Sequence, residues 1–134
     1  MSLLLLDTTF LIDTQRGAND LDSLISDDDD IAIAAITVAE LTVGVQLAAP
    51  RQRPRRQAYV DEIVASIPIL PYDEAVAREH ANLLVAVRRA GRPRGAHDLI
   101  IAATAVEHRR TVVSADRRAY YGLPGLVSID HRST

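Results

Sequence analysis

Apolar residues along the chain fall into two alternating kinds of run, short unbroken ones and longer ones spaced three and four apart. The short runs, Leu3–Leu6, Ile31–Ala34, Ile67–Leu70, Thr111–Val113 and Leu126–Ile129, predict strands. Four consecutive leucines also suit a helix, but this run is one short strand long and stops at Asp7-Thr8-Thr9. A buried parallel strand fits better. Pro68 confines its strand to a sheet edge or to that strand's first residues, and Pro124-Gly125 turns the chain into the last one.

The longer runs predict helices. One runs from Thr8 to Gln15, capped by a threonine and stopped at Gly17, and a short one opens at Asn19 with Asp22 three residues on. Another begins at Ile36, with Thr37 and Glu40 in capping-box relation; Val38, Leu41 and Val45 form one face and Val43 and Leu47 a second. A fourth spans Pro54 to Ser66 with Tyr59, Ile63 and Val64 inward. Asp73 caps a long helix to about Ala90, closed by Gly91 and Pro93; it buries Val76, Leu83, Leu84 and Val87 and places His80 on the apolar stripe as a hydrogen-bonded residue. The segment from Leu99 to Val106 is apolar almost all round, as in a helix held centrally against a sheet, and Asp98 lies in its first turn. Asp27 to Asp30 lacks the alternating ligands and distal Glu of a calcium loop and reads as a solvated turn.

Composition narrows the picture. At 134 residues, 48% hydrophobic and 25% charged, the chain is one ordinary α/β domain, with no stretch long enough to span a bilayer and no signal-peptide start. Without cysteine, thiolate sites and disulfides are excluded and a cytosolic protein is expected. The net charge of −3 argues against a nucleic-acid partner, but the basic residues cluster, and all 15 are arginine. Arginine suits bidentate phosphate contact; a high-GC genome would enrich it equally. The lack of lysine excludes phospho-accepting signalling domains and haloacid-type phosphotransferases, and no P-loop or glycine-rich dinucleotide turn is present.

Strands alternating with helices imply a mostly parallel sheet whose strand carboxyl ends share one edge. Asp7 and Asp116 follow strands and so stand at that edge; Glu40 and Asp98, in the first turns of their helices, can point toward it. Each acid alone has a cap or dipole explanation. Jointly, four such explanations are less economical than one site for a hard divalent cation such as Mg²⁺ or Mn²⁺.

The motifs are the strand ending in Asp7-Thr8-Thr9, the segment Thr37-Val38-Ala39-Glu40-Leu41, the stretch from His97-Asp98-Leu99 to Ala105, and Ser114-Ala115-Asp116 ahead of Gly122-Leu123-Pro124-Gly125-Leu126. In this order the chain resembles the PIN-domain ribonucleases and, among them, the VapC-type toxins of bacterial toxin–antitoxin pairs. The resemblance spans nearly the whole chain. It implies a single PIN-like domain over 1–134, with a five-stranded parallel sheet in order 3-2-1-4-5 flanked by helices. It also implies Asp7, Glu40, Asp98 and Asp116 around one or two Mg²⁺ ions, replaceable by Mn²⁺, with Glu40 acting directly or through water.

The activity so implied is hydrolysis of a phosphodiester in structured RNA, in the cytoplasm, held in check by a VapB-type antitoxin. The antitoxin would lie along a groove among the first helices. Thr8, Thr9 and Ser114 would orient carboxylates or waters, while Arg92, Arg94, Arg117 and Arg118 lie near the site in sequence and are candidates to hold RNA phosphates. Some family members carry a further acid shortly after the position of Asp116, where this chain has Arg117, Arg118 and Ala119, so a second ion would be weakly held or arrive with substrate. His97 is adjacent to Asp98 but is assigned no role. Phe10, Val43 and Leu47 are surplus apolar positions that suit the antitoxin groove or the face of a homodimer. The rival reading is a catalytically silent PIN-like module that only binds a partner.

Overall fold

The computed structural model describes residues 1–17 and 25–132, so the short helix anticipated at Asn19 lies outside the described residues. In chain order the elements are β1 (Leu3–Leu6), α1 (Thr8–Arg16), β2 (Asp30–Ala34), α2 (Ala35–Gln46), α3 (Arg53–Ser66), β3 (Ile69–Leu70), α4 (Glu74–Ala90), α5 (Ala96–His108), β4 (Thr111–Ser114), α6 (Arg117–Tyr120) and β5 (Ser128–Asp130). The five strands form one parallel sheet in the order β3-β2-β1-β4-β5, as the resemblance implies.

The leucine run is the centre of that sheet. Its side chains alternate between faces, so Leu5 joins the core under α4, α5 and α6 with Ala32, Val112 and Tyr120. Leu4 and Leu6 join the opposite core with Phe10, Ile33, Leu41, Val60 and Val113. A strand covered on both faces must be apolar at every position, which is why Leu3–Leu6 shows no polar alternation. Residues on four sides of α5, including Ile101, Ala102, Ala103 and Ala105, are buried, so its apolar circumference has the expected use. Among the described residues no helix is long and apolar enough to cross a membrane.

Several boundaries differ from the sequence reading. Asp7, not a threonine, caps α1: its side chain accepts from Phe10 N. β2 runs straight into α2 at Ala35, so Glu40 falls in the second turn and no capping box with Thr37 forms. Thr37 is instead fully buried, and its hydroxyl has no hydrogen-bond partner among the described residues. On α3 the inward valine is Val60, while Val64 is 41% exposed; Tyr59 lies half-buried and donates to Leu11 O at 2.7 Å. Phe10 is buried against His131 and belongs to no outer face, whereas Val43 and Leu47 are exposed. His80 is half-buried and hydrogen-bonded, to the Tyr72 hydroxyl at 2.9 Å. The last strand begins at Ser128, because Gly125, at φ +73°, and a Leu126 N to Leu123 O turn carry the chain past Leu126 before pairing starts.

Candidate active site

Four acids meet at the carboxyl edge of the sheet by different local routes. Asp7 leaves β1 with extended backbone as the N-cap of α1 and is only 4% exposed. Its Oδ1 accepts from Phe10 N at 3.2 Å and Thr9 Oγ1 at 2.7 Å, and its Oδ2 accepts from Ser114 Oγ at 2.6 Å and the Tyr120 hydroxyl at 3.2 Å. Buried charge is tolerated here because every oxygen is hydrogen-bonded.

Asp116 lies on the other side of that brace. It follows β4, caps the short α6 by accepting from Ala119 N, and is exposed. Ser114 Oγ, which donates to Asp7, accepts from Asp116 N at 2.9 Å, and Thr9 Oγ1 accepts from Ala115 N at 2.9 Å. Thr9 and Ser114 therefore tie the ends of β1 and β4 together through their hydroxyls.

Glu40 and Asp98 arrive from helices. Thr8 donates from Oγ1 to Glu40 Oε1 at 2.8 Å, which draws the second turn of α2 toward the start of α1. His97 Nδ1 is 3.6 Å from Glu40 Oε2, an ion pair when the ring is protonated. Asp98 is the third residue of α5, and its carboxylate fills space left by Gly95: a Cβ there would stand 2.7 Å from Asp98 Oδ2. Burial, followed by the charges of Asp116, Glu40 and Asp7, pushes the Asp98 carboxyl above the ordinary range, and His97 only partly opposes it. The charges of the other three acids thus all reach Asp98.

The donor set suits a hard divalent cation: four carboxylates share one edge, the missing side chain at Gly95 gives the Asp98 carboxylate its place there, and among the described residues no arginine is paired to any of the four. Among the described residues no three of these side chains, as oriented, already close around a common point. Coordination therefore requires the carboxylates to turn inward, which their mutual repulsion opposes without a cation.

The arginines divide by environment. Arg92, Arg117 and Arg118 are exposed. The Arg94 guanidinium donates to Ala119 O at 3.0 Å and Tyr121 O at 2.7 Å, pinning α6 and the loop after it. Two residues of the site escaped sequence reading. Tyr120 reaches Asp7 across 113 positions, and burial together with the charge of Asp7 pushes its phenol well above the ordinary range, so it stays protonated as a donor. Gly95 carried a detectable signal, a glycine three residues before an acid at a helix start, but not its purpose.

The PIN-domain family model matches residues 4–122. The chain is 34% identical to Ribonuclease VapC5 of Mycobacterium tuberculosis over 125 residues, covering 93% of this chain and 90% of that one. It is 33% identical to Toxin FitB of Neisseria gonorrhoeae over 131 residues, covering 89% and 91%. Its fold matches the crystal structure of VapBC-5 from Mycobacterium tuberculosis, a member of the VapBC family of toxin–antitoxin systems, with a TM-score of 0.79 at 31% identity, covering 96% of this chain and 98% of that one. The chain belongs to the PIN-domain family and, within it, to the VapC-type ribonuclease toxins.

Proposed function

We infer that this chain is a metal-dependent endoribonuclease toxin that hydrolyses phosphodiesters in structured RNA and is neutralised by a VapB-type antitoxin in the bacterial cytoplasm. The observation that carries this reading is the sheet edge that holds Asp7, Glu40, Asp98 and Asp116 with no arginine paired to them among the described residues, where burial and then the charges of Asp116, Glu40 and Asp7 raise the Asp98 carboxyl. Asp7, Asp98 and Asp116 would hold Mg²⁺ or Mn²⁺, with Glu40 acting directly or through water. When bound, such an ion supplies Lewis acidity at a phosphate and lowers the pKa of a water.

The chain's own residues do the positioning. Thr9 and Ser114 fix Asp7, and Thr8 fixes Glu40. The exposed guanidinium groups of Arg92, Arg117 and Arg118 flank the acids in sequence and would grip RNA phosphates, which sets register without reading bases. Arg94 contributes indirectly, by holding α6 in place.

The antitoxin assignment rests on relatives solved as toxin–antitoxin pairs and on a cavity of about 470 Å³ between α1, α2 and α3. That groove is lined by Ile12, Leu41, Val45 and Tyr59 with Arg16, Arg55 and Arg56 beside them, chemistry that suits a peptide with apolar anchors and acids.

Two measurements test the reading. In EDTA, Asp98→Asn should melt a few degrees above wild type, because it removes a half-buried charge that its neighbours repel. Adding Mn²⁺ should raise the wild-type melting temperature and leave Asp98→Asn nearly unmoved; the opposite ranking in Mn²⁺ counts against the metal site. With folded RNA and Mn²⁺, cleavage should map to a few discrete linkages, and a ladder at every exposed linkage would argue against selection of structure.

A further inference from the structure

The Asp7 carboxylate has no unused edge. An ionised carboxylate offers about four acceptor positions, and Phe10 N, Thr9 Oγ1, Ser114 Oγ and the Tyr120 hydroxyl take them. A cation that bonds directly to Asp7 must therefore displace one donor.

The four donors differ in what their departure costs. Phe10 N is a backbone amide held by the first turn of α1 and cannot turn aside, whereas a hydroxyl can rotate about its C–O bond. Thr9 and Ser114 each accept from a backbone amide as well, Ala115 N and Asp116 N, so moving either hydroxyl breaks a second hydrogen bond at the end of β4. Tyr120 has no such commitment. Its hydroxyl makes no other hydrogen bond among the described residues, and at 3.2 Å its bond to Oδ2 is longer than those from Thr9, 2.7 Å, and Ser114, 2.6 Å. It also sits on α6, whose first residue follows Asp116, so the element carrying the competitor is the one capped by another of the acids.

On the metal-dependent reading above, we propose that the Tyr120 hydroxyl competes with a divalent cation for Asp7. It satisfies the buried carboxylate while the site is empty and yields when the ion arrives. Tyr120 then weakens ion binding, the opposite of a residue that orients a ligand for its metal, and it sets the ion concentration at which the protein switches on. Tyr120→Phe isolates the effect, because the ring that fills the core at 2% exposure is retained and only the donor is lost.

The hydrogen bond belongs to the ion-free state alone, so the substitution should act on that state alone. By calorimetric titration Tyr120→Phe should bind Mn²⁺ about tenfold more tightly than wild type, the scale of one hydrogen bond to a charged group. In EDTA it should melt below wild type, and saturating Mn²⁺ should bring the two melting temperatures together. Equal affinity, with the same melting deficit in EDTA and in Mn²⁺, would make Tyr120 a purely structural contact and overturn the proposal. Weaker binding would make it an orienting residue and overturn it equally. A wild-type protein that binds no Mn²⁺ would remove the metal reading itself, and that outcome is distinct from both.

Discussion

Asp7→Ala should lose at least about a hundredfold of RNA cleavage in Mn²⁺, because groups one step removed from a metal already account for about ten- to a hundredfold. The same loss is expected for Asp7→Asn, which keeps the size and one acceptor oxygen of the side chain but loses its charge and replaces the other oxygen with an amide nitrogen that cannot accept. Asp7→Ala also removes the cap of α1, worth about 1 kcal/mol, and leaves Ser114, Thr9 and Tyr120 without their acceptor. The pair therefore separates chemistry from folding: both variants should be inactive, and Asp7→Asn should retain cooperative melting. Cleavage by Asp7→Asn within a few-fold of wild type would show that the charge at this position is not used.

The largest effect on stability is expected far from the acids, at Asp13. This residue of α1 is 3% exposed; it accepts from Arg132 Nε at 2.7 Å and Nη2 at 2.8 Å, and its Oδ2 lies 2.8 Å from Nε2 of the buried His131. The clasp ties the chain beyond β5 to the helix that Asp7 caps. Removing Asp13 strands the buried His131 ring, while the Arg132 side chain, 58% exposed, is screened by solvent, so Asp13→Ala should cost about 2 kcal/mol and lower the melting temperature by roughly 7 °C.

Acid should erase the difference between wild type and Asp13→Ala. The Arg132 guanidinium first, then His131, hold the Asp13 carboxyl well below its ordinary value of 3.8 against the opposing effect of burial. The folded protein thus gives up this proton more readily than the unfolded chain. The resulting stability is complete above pH 3.8 and drains away as the pH falls from there toward the folded value. Melting curves of both proteins from neutral pH downward measure it directly. A gap of unchanged size well below pH 3.8 would show that the clasp acts by packing and not by charge.

What could be read without coordinates was whatever is local. Leu3–Leu6 announces a strand covered on both faces, Asp73 and Gly91 bracket α4 through cap preferences, and Asp7 and Asp116 stand at the ends of apolar runs. The sheet order came from family resemblance, since periodicity says nothing about which strands are neighbours. Glu40 was misplaced by one turn because a capping-box pattern is silent on whether a loop precedes it, and here β2 enters α2 with none. Contacts across long separations left no trace in spacing: Tyr120 with Asp7, and His131 and Arg132 with Asp13. Arginine was the least legible residue. Arg94 holds backbone carbonyls near α6, and Arg110 bonds Leu4 O, Asp30 O and the Asp30 carboxylate around the amino-terminal ends of β1 and β2, while Arg92, Arg117 and Arg118 remain exposed beside the acids in sequence.

Chelation of the wild-type protein tests most directly whether the four acids work as a metal-dependent nuclease. Purified protein free of antitoxin, incubated with folded RNA, should cleave in Mn²⁺ or Mg²⁺, stop when EDTA is added in excess, and resume when Mn²⁺ is restored above the chelator. Cleavage at the same rate in EDTA and in Mn²⁺ would contradict the account.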